Sequence, residues 1–389
     1  MEPTEHFNPL EKIPRYRRES LHVPESISLM SAAITHIGVS VYTVPTDRLE
    51  ADGTLTWDNT TIVIVHASAG GHIGLGYSYA SRAAAVVVED ILADVVKGRD
   101  AFDIPDCWLA MRRAVRNQGL TGVAASAIAA VDTALWDLKA QLLNVSLASL
   151  MGKSVMTMPV YGSGGFTTYH NKDLHKQIES WRKSGITKAK IKIGEHPGED
   201  VSRVKAARAA LGDGELFVDA NGAYSVKEAL WFAQKFQEDN VIWFEEPVTS
   251  DNLEALHLLK QDGPAGMDIT AGEYIYDLFG AERMLSAKAV DVLQLDATRC
   301  QGYSGFMQAA ALAQAHNIPL SSHCAPALHL PICLHVPTML HMEYFHDHVR
   351  LENMLFEGVP QVVNGSLSPN DKPGHGLTLK RADAQRYAA

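Results

Sequence analysis

Along residues 188–343, short apolar runs keep ending in a charged or polar side chain, and this rhythm constrains the fold more than any other feature. AKIKIG carries Lys190 and Lys192, LFVDAN carries Asp219 and Asn221, and IWFEEP carries Glu245. DITAGE carries Glu273, VLQLDATRC carries Asp296, IPLSSHC carries His323, and MLHMEYF carries Glu343. From Lys192 onward the intervals are 27, 26, 28, 23, 27 and 20 residues. Each interval has room for one strand, one helix and two short loops. Regular strand–helix alternation calls for a parallel sheet. Functional groups at successive strand ends then specify a modified (β/α)8 TIM-type barrel with its site at the C-terminal mouth.

The 389 residues exceed what one such barrel needs. The polar stretch 1–30 shows no sustained period and reads as an N-terminal arm. Residues 31–150 read as an α+β capping domain. ITHIGVSVYTV, TTIVIVHA and a run from His72 have strand character, and helical patterns follow near 82–97, 104–117 and 121–143. Residues 151–365 hold the barrel, with helices near 173–184, 199–211, 226–237, 252–260, 278–286 and 304–315. The turn-rich stretch 366–389 leaves the barrel and returns to the capping domain. Between the first two strands, Thr43–Asn59 reads as a long loop with Trp57 near its end, a candidate lid or an ordered surface loop.

A net charge of −11 argues against nucleic acid or an anionic membrane surface as a partner. No apolar run is long enough to span a bilayer, and the N-terminus lacks the apolar core of a signal peptide. Cys107, Cys300, Cys324 and Cys333 form neither a CxxC pair nor a disulfide framework, so a reduced, cytoplasmic setting is expected.

Asp219, Glu245 and Glu273 end three successive strands. Three converging anions repel unless a hard cation lies among them, and an oxygen-only set selects Mg2+, with Mn2+ as a substitute. Lys190 and Lys192 lie two apart on one strand, so they point the same way, about 6.6 Å apart. Inside a barrel mouth each would destabilise the other by about 2.5 kcal/mol, close to two pKa units downward. That would make a lysine general base. A solvated edge strand with lysines at 188, 190 and 192 is the alternative. Asp296 and His323, on consecutive strands, can form a carboxylate–imidazole pair that fixes the tautomer.

These residues resemble the enolase superfamily and, within it, the mandelate racemase subgroup, over about residues 31–365. The resemblance rests on KIKIG, on VDAN, FEEP and AGE, on the Asp296/His323 pair, and on the AVDTALWDLKAQLL helix before the barrel. It implies one Mg2+ on Asp219, Glu245 and Glu273, with Glu246 nearby but not a ligand. It implies Lys192 as the base on one substrate face, and His323, backed by Asp296, on the other. Lys190 would help bind the substrate carboxylate, Asn221 would contact a hydroxyl, and Glu343 would donate a hydrogen bond to a carboxylate oxygen. The implied chemistry is α-proton removal from a small hydroxy-carboxylate through an enediolate. The outcome would be dehydration of an acid sugar (aldonate or aldarate) to a 2-keto-3-deoxy acid, or racemisation or epimerisation, in a homo-oligomer. Two departures stand out. Gln301-Gly302 replaces a Gly-Gly pair common among relatives, and Asp296 stands where the muconate-lactonising subgroup has a lysine.

Competing readings are weaker. His323, Cys324, His329, Cys333 and His335 invite a zinc hydrolase, but their spacing matches no common zinc motif. GGHIGLG is not a phosphate loop, because no helix start follows it, and a hairpin fits better. A binding-only relative is disfavoured because every implied catalytic position is occupied.

Overall fold

The computed structural model describes residues 31–389; the stretch 1–30, read as an arm, lies outside the described residues. From Ala32 onward the chain forms one compact unit.

Three antiparallel strands come first: β1 (His36–Ala51), β2 (Thr56–Ala69) and β3 (His72–Tyr79), in the order β1-β2-β3. The helical stretch from Arg82 to Val96 passes through a wide π turn at Val88–Leu92, and Ile104–Ala114 follows. The Ala-rich helix Val123–Leu142 is buried along nearly its whole length. Small side chains let it approach β3 closely. A Cβ at Gly74 would stand 2.2 Å from the Ala134 carbonyl oxygen, and one at Gly76 only 2.3 Å from its amide nitrogen. The glycines of GGHIGLG therefore serve a hairpin and a sheet–helix contact.

The long loop expected over Thr43–Asn59 is instead mostly strand. β1 runs on to Ala51 and β2 begins at Thr56, with Glu50 paired to Trp57 and a register shift between Pro45 and Glu50. The acids and proline that suggested a loop are accommodated by that bulge, since an extra residue on one strand needs no ladder bond. The result is a β-ribbon with a tight tip, closed by Asp52 accepting from the amides of Thr54 (2.7 Å) and Leu55 (2.8 Å).

Eight parallel strands form the barrel: β4 (Met158–Gly164), β5 (Lys188–Lys192), β6 (Glu215–Asp219), β7 (Val241–Glu245), β8 (Asp268–Ala271), β9 (Val292–Leu295), β10 (Leu320–Ser322) and β11 (Met339–Phe345). They pair in chain order, and β11 closes onto β4. The six expected barrel helices are present within a few residues of their expected bounds, and Pro326–His335 adds a seventh crossover. Tyr161, Phe217, Trp243 and Val292 fill the barrel interior below the mouth. Large aromatic layers there push the charged strand ends upward, where they can converge.

After β11, helix His346–Leu355 packs at the barrel edge. Ser366–Leu367 pairs with β4, and the chain end reaches β1, where the Ala389 amide donates to the Val41 carbonyl (3.0 Å). Tyr77 of β3 donates to Glu352 across the junction of sheet and barrel at 2.6 Å. The four cysteines are free and buried. Among the described residues, no helix is long and apolar enough to cross a membrane.

Candidate active site

Asp219 and Glu245 are the last residues of β6 and β7, and Glu273 lies two beyond β8. Parallel pairing puts Lys192, Asp219 and Glu245 side by side, since Lys192 is opposite Asp219 and Asp219 opposite Glu245. One oxygen from each of Asp219, Glu245 and Glu273 lies within 4.8 Å of the others, and all three residues are buried. The donors are oxygens only, and Glu273 Oε2 accepts no hydrogen bond although buried. Such a set fits a hard divalent cation. Burial, reinforced by Asp219, pushes Glu245 up to about 8. Glu273 is held down at about 2, because His323 and Arg299 outweigh its burial. Glu246 is not one of the converging set; its Oε1 is buried and unpartnered, and burial, reinforced by Glu273, pushes it well up.

Both lysines point into the mouth, so the edge-strand alternative falls away. Lys190 Nζ lies 2.7 Å from both Glu245 oxygens and 2.7 Å from Glu343 Oε1. Lys192 Nζ lies 2.5 Å from Asp219 Oδ2 and 3.0 Å from Asn221 Oδ1. The expected lowering of both pKa values does not occur here. Burial does oppose each charge, but Glu245 and Glu343 hold the proton on Lys190, and Asp219 holds it on Lys192. The carboxylates that the barrel register sets beside the two lysines outweigh the repulsion between them.

Across the mouth, His323 Nδ1 is 2.8 Å from Asp296 Oδ2, and Asp296 Oδ1 accepts the Thr298 amide at 2.7 Å. His323 and Arg299 hold Asp296 well below the usual carboxylate range against its burial. His323 is raised: burial opposes its charge, but Glu273 and Asp296 prevail. Its Nε2 faces Glu273 Oε2 at 3.3 Å and Cys324 Sγ at 3.2 Å.

Glu343 differs from the expectation of a hydrogen-bond donor. Its Oε1 accepts from Ser163 (2.6 Å) and Lys190, its Oε2 accepts the Cys324 amide (2.7 Å), and Lys190 and His323 hold it as a carboxylate despite burial. In this geometry it accepts only.

The zinc set does not assemble. His335 is half-buried and bonded to the Gly152 carbonyl. His329 is locked between the Ala325 carbonyl at Nδ1 and the Ala297 amide at Nε2. Among the described residues His323 and Cys324 converge with Glu343, not with His329, Cys333 or His335.

A cavity of about 420 Å³ opens over this cluster, lined by Lys192, Asn221, Glu273, Asp296, His323 and Glu343. Lys190 does not line it. The ribbon supplies the roof with Asp52, Leu55, Trp57, Asn59, Thr60 and Thr61. Trp57 packs edge-on against Phe166 at 5.6 Å. The tip is pressed onto the barrel: a Cβ at Gly53 would meet the Ala220 carbonyl at 2.3 Å and the Ile193 carbonyl at 2.7 Å.

Sequence reasoning missed Arg299, which lines the cavity 3.2 Å from Glu273 Oε1 and 3.7 Å from Asp296 Oδ2. Its position three residues after Asp296 was the available signal, since one helical turn returns a side chain to the same face. Gln301 adopts φ 67° and ties this loop to the capping layer, its carbonyl accepting from Trp108 Nε1 at 3.0 Å.

Comparison with known proteins identifies the family. Family models match residues 38–152 ("Mandelate racemase / muconate lactonizing enzyme, N-terminal domain") and 173–384 ("Enolase C-terminal domain-like"). A mandelate racemase/muconate lactonizing enzyme-like protein from Rubrobacter xylanophilus has a crystal structure similar to this chain, with TM-score 0.90 and 47% identity, covering 92% of this chain and 100% of that one. The L-talarate/galactarate dehydratase of Salmonella typhimurium LT2 is 32% identical over 84% of this chain and 83% of its own length. Its structure liganded with Mg and L-lyxarohydroxamate gives TM-score 0.88 at 27% identity, covering 95% and 96%. The 3,6-anhydro-alpha-L-galactonate cycloisomerase of Streptomyces coelicolor is 31% identical over 89% of this chain and 97% of its own length.

Proposed function

The chain belongs to the mandelate racemase/muconate lactonizing enzyme family of the enolase superfamily, and from that premise we propose that it removes the α-proton of a small hydroxy acid and dehydrates an acid sugar to a 2-keto-3-deoxy acid. The observation that carries the proposal is the pair of opposed proton carriers. Lys192 ends β5, Asp296 and His323 follow β9 and β10, and the three strands between, β6 to β8, carry the three-carboxylate cluster.

Asp219, Glu245 and Glu273 would hold Mg2+, which when bound supplies Lewis-acid stabilisation of the charge developing on the substrate carboxylate. Lys192 takes the α-proton. With Asp219 engaged as a ligand, burial and the Lys190 cation remain beside Lys192, and both lower its pKa. Lys190, held among Glu245 and Glu343, adds positive charge beneath the forming enediolate. His323, kept protonated by its hydrogen bond to Asp296, delivers a proton to the departing β-hydroxyl. Asn221 orients a substrate hydroxyl.

Dehydration is favoured over a purely apolar mandelate-like substrate by the roof. Asp52, Asn59, Thr60, Thr61 and Ser81 offer hydroxyl, amide and carboxylate groups suited to a polyhydroxy tail. The relative acting on L-talarate/galactarate supports the same choice. Two proton carriers on opposite faces also suit racemisation or epimerisation, which is the second reading. We further propose a homo-oligomer working in a reducing, cytoplasmic setting.

The test is an acid-sugar library read by a keto-acid reagent and by polarimetry. Keto acid is expected, abolished by EDTA and restored by Mg2+. Optical change without keto acid establishes the second reading instead. No turnover and no exchange of the α-proton in D2O with any acid would overturn both.

A further inference from the structure

A second cluster lies away from the catalytic carboxylates, where the ribbon meets the barrel rim. The β1 bulge carries Asp47 and Glu50, and His346 directly follows β11. One ligand atom from each lies within 4.8 Å of the other two, and His346 Nε2 is 3.1 Å from Asp47 Oδ2. Glu50 is fully buried (0% exposed). Its Oε2 accepts from Trp57 Nε1 at 2.9 Å, but its Oε1 has no hydrogen-bond partner. A buried carboxylate oxygen left bare is costly, and one facing further acids more so. The neighbouring Asp347 does not relieve it, being itself an anion bound to Arg350 at 2.7 Å. Burial and Asp347 push Glu50 up to about 9, and the Trp57 hydrogen bond and Arg350 offset them only in part.

We infer that Asp47, Glu50 and His346 form a second divalent-cation site, which pins the ribbon to the barrel rim. The donor set differs in kind from the oxygen-only set of the mouth. One imidazole nitrogen with two carboxylates suits a borderline ion such as Zn2+ over Mg2+. Ligands about 2.0–2.2 Å from a tetrahedral Zn2+ lie roughly 3.4 Å apart, against an upper bound of 4.8 Å here. The cluster therefore needs some contraction, which the side chains of Asp47 (43% exposed) and His346 (27% exposed) are free to make. The buried Glu50 would be the fixed ligand, and water would complete the shell. Because Glu50 also holds Trp57, which lines the cavity, the ion sits one hydrogen bond from the substrate space. The inference is independent of which acid the enzyme acts on.

The test is equilibrium dialysis of the whole protein against Zn2+ in excess Mg2+, with bound zinc counted by mass spectrometry. One Zn2+ per chain is expected in the unaltered protein and in Glu273→Gln, whose change lies in the mouth. Affinity should fall at least 100-fold in His346→Ala and in the isosteric Glu50→Gln, with both folds verified by circular dichroism. Cobalt loading gives a second readout: the visible absorption of a low-coordinate nitrogen-containing site should vanish in His346→Ala. No zinc retained in the unaltered protein, or unchanged zinc affinity in both variants, would overturn the site.

Discussion

The barrel mouth and the ribbon that roofs it are both lined with acids, yet the two regions are organised by different rules. In the mouth, parallel register sets each functional group beside its neighbour. Lys192 lies opposite Asp219 and Asp219 opposite Glu245, so each lysine is set within reach of a carboxylate. In the ribbon, register is broken by a bulge, and Glu50 is left with a bare oxygen. Chemistry common to a whole family can rest on a repeating ladder, whereas the part that contacts the substrate tail rests on individual long-range contacts. The predictions below test that division, beginning where the effect is largest.

Replacing Lys192 or His323 by alanine removes a proton carrier from the mouth. Turnover should fall by about 10²–10⁴-fold, the usual contribution of a positioned acid or base. Thermal stability should change little, because truncating Lys192 leaves Asp219 its Asn221 amide contact at 2.9 Å, and Asp296 keeps the Thr298 amide and Arg299 when His323 is lost. Steady-state kinetics beside a melting curve decides it. Near-full activity in either variant would break the assignment of the mouth.

The same division explains what the sequence disclosed. Interval and strand-end chemistry suffice to locate Asp219, Glu245, Glu273, Asp296 and His323, because a parallel barrel repeats one unit and every strand end arrives at one rim. The pKa of Lys192 was not legible. It depends on a carboxylate 27 residues away that arrives only through strand pairing. Glu343 likewise became an acceptor through Ser163, Lys190 and the Cys324 amide, contacts from three separate strands or loops. The ribbon reads as a loop from sequence alone because bulge residues and loop residues share a composition, and only the partner strand separates them.

The ribbon is tested by Gly53→Ala. The added Cβ would fall 2.3 Å from the Ala220 carbonyl, a backbone atom that cannot turn aside, so the tip must lift. Displacement of about 1 Å near a reacting group can cost up to about 100-fold. A fall in kcat/KM of about tenfold or more is expected, with the melting temperature nearly unchanged. Unaltered kinetics would mean that the ribbon covers the cavity without shaping it.

Where the two regions join, Glu352 accepts from Tyr77 and is pushed up to about 8 by burial. Its unfolded value is near 4.5, so between those values the folded protein binds the extra proton. This contribution to stability is complete below pH about 4.5 and is lost as pH rises through about 8. The melting temperature should therefore decline over that window, and Glu352→Gln should flatten the decline. A slope unchanged in the variant would assign the pH dependence to other groups.

The smallest effect concerns Gln301, which stands where the family resemblance implies glycine. At φ 67° a side chain with a Cβ costs about 1 kcal/mol, which glycine would not. Against that, Gln301 Nε2 donates to the Leu120 carbonyl at 3.3 Å, tying the loop after Asp296 to the capping layer. Gln301→Ala keeps the backbone strain and loses the bond, so it should be destabilised by about 1–2 kcal/mol. Gln301→Gly loses the bond but relieves the strain, offset in part by the greater freedom of glycine in the unfolded chain. It should therefore lie between the unaltered protein and Gln301→Ala, within about 1 kcal/mol of either. Denaturant titration of the three proteins gives the order. If glycine proves the least stable, the freedom of glycine in the unfolded chain outweighs the relief of backbone strain. The departure from the Gly-Gly pair would then be a gain in fixing the Asp296 loop, rather than a cost carried for it.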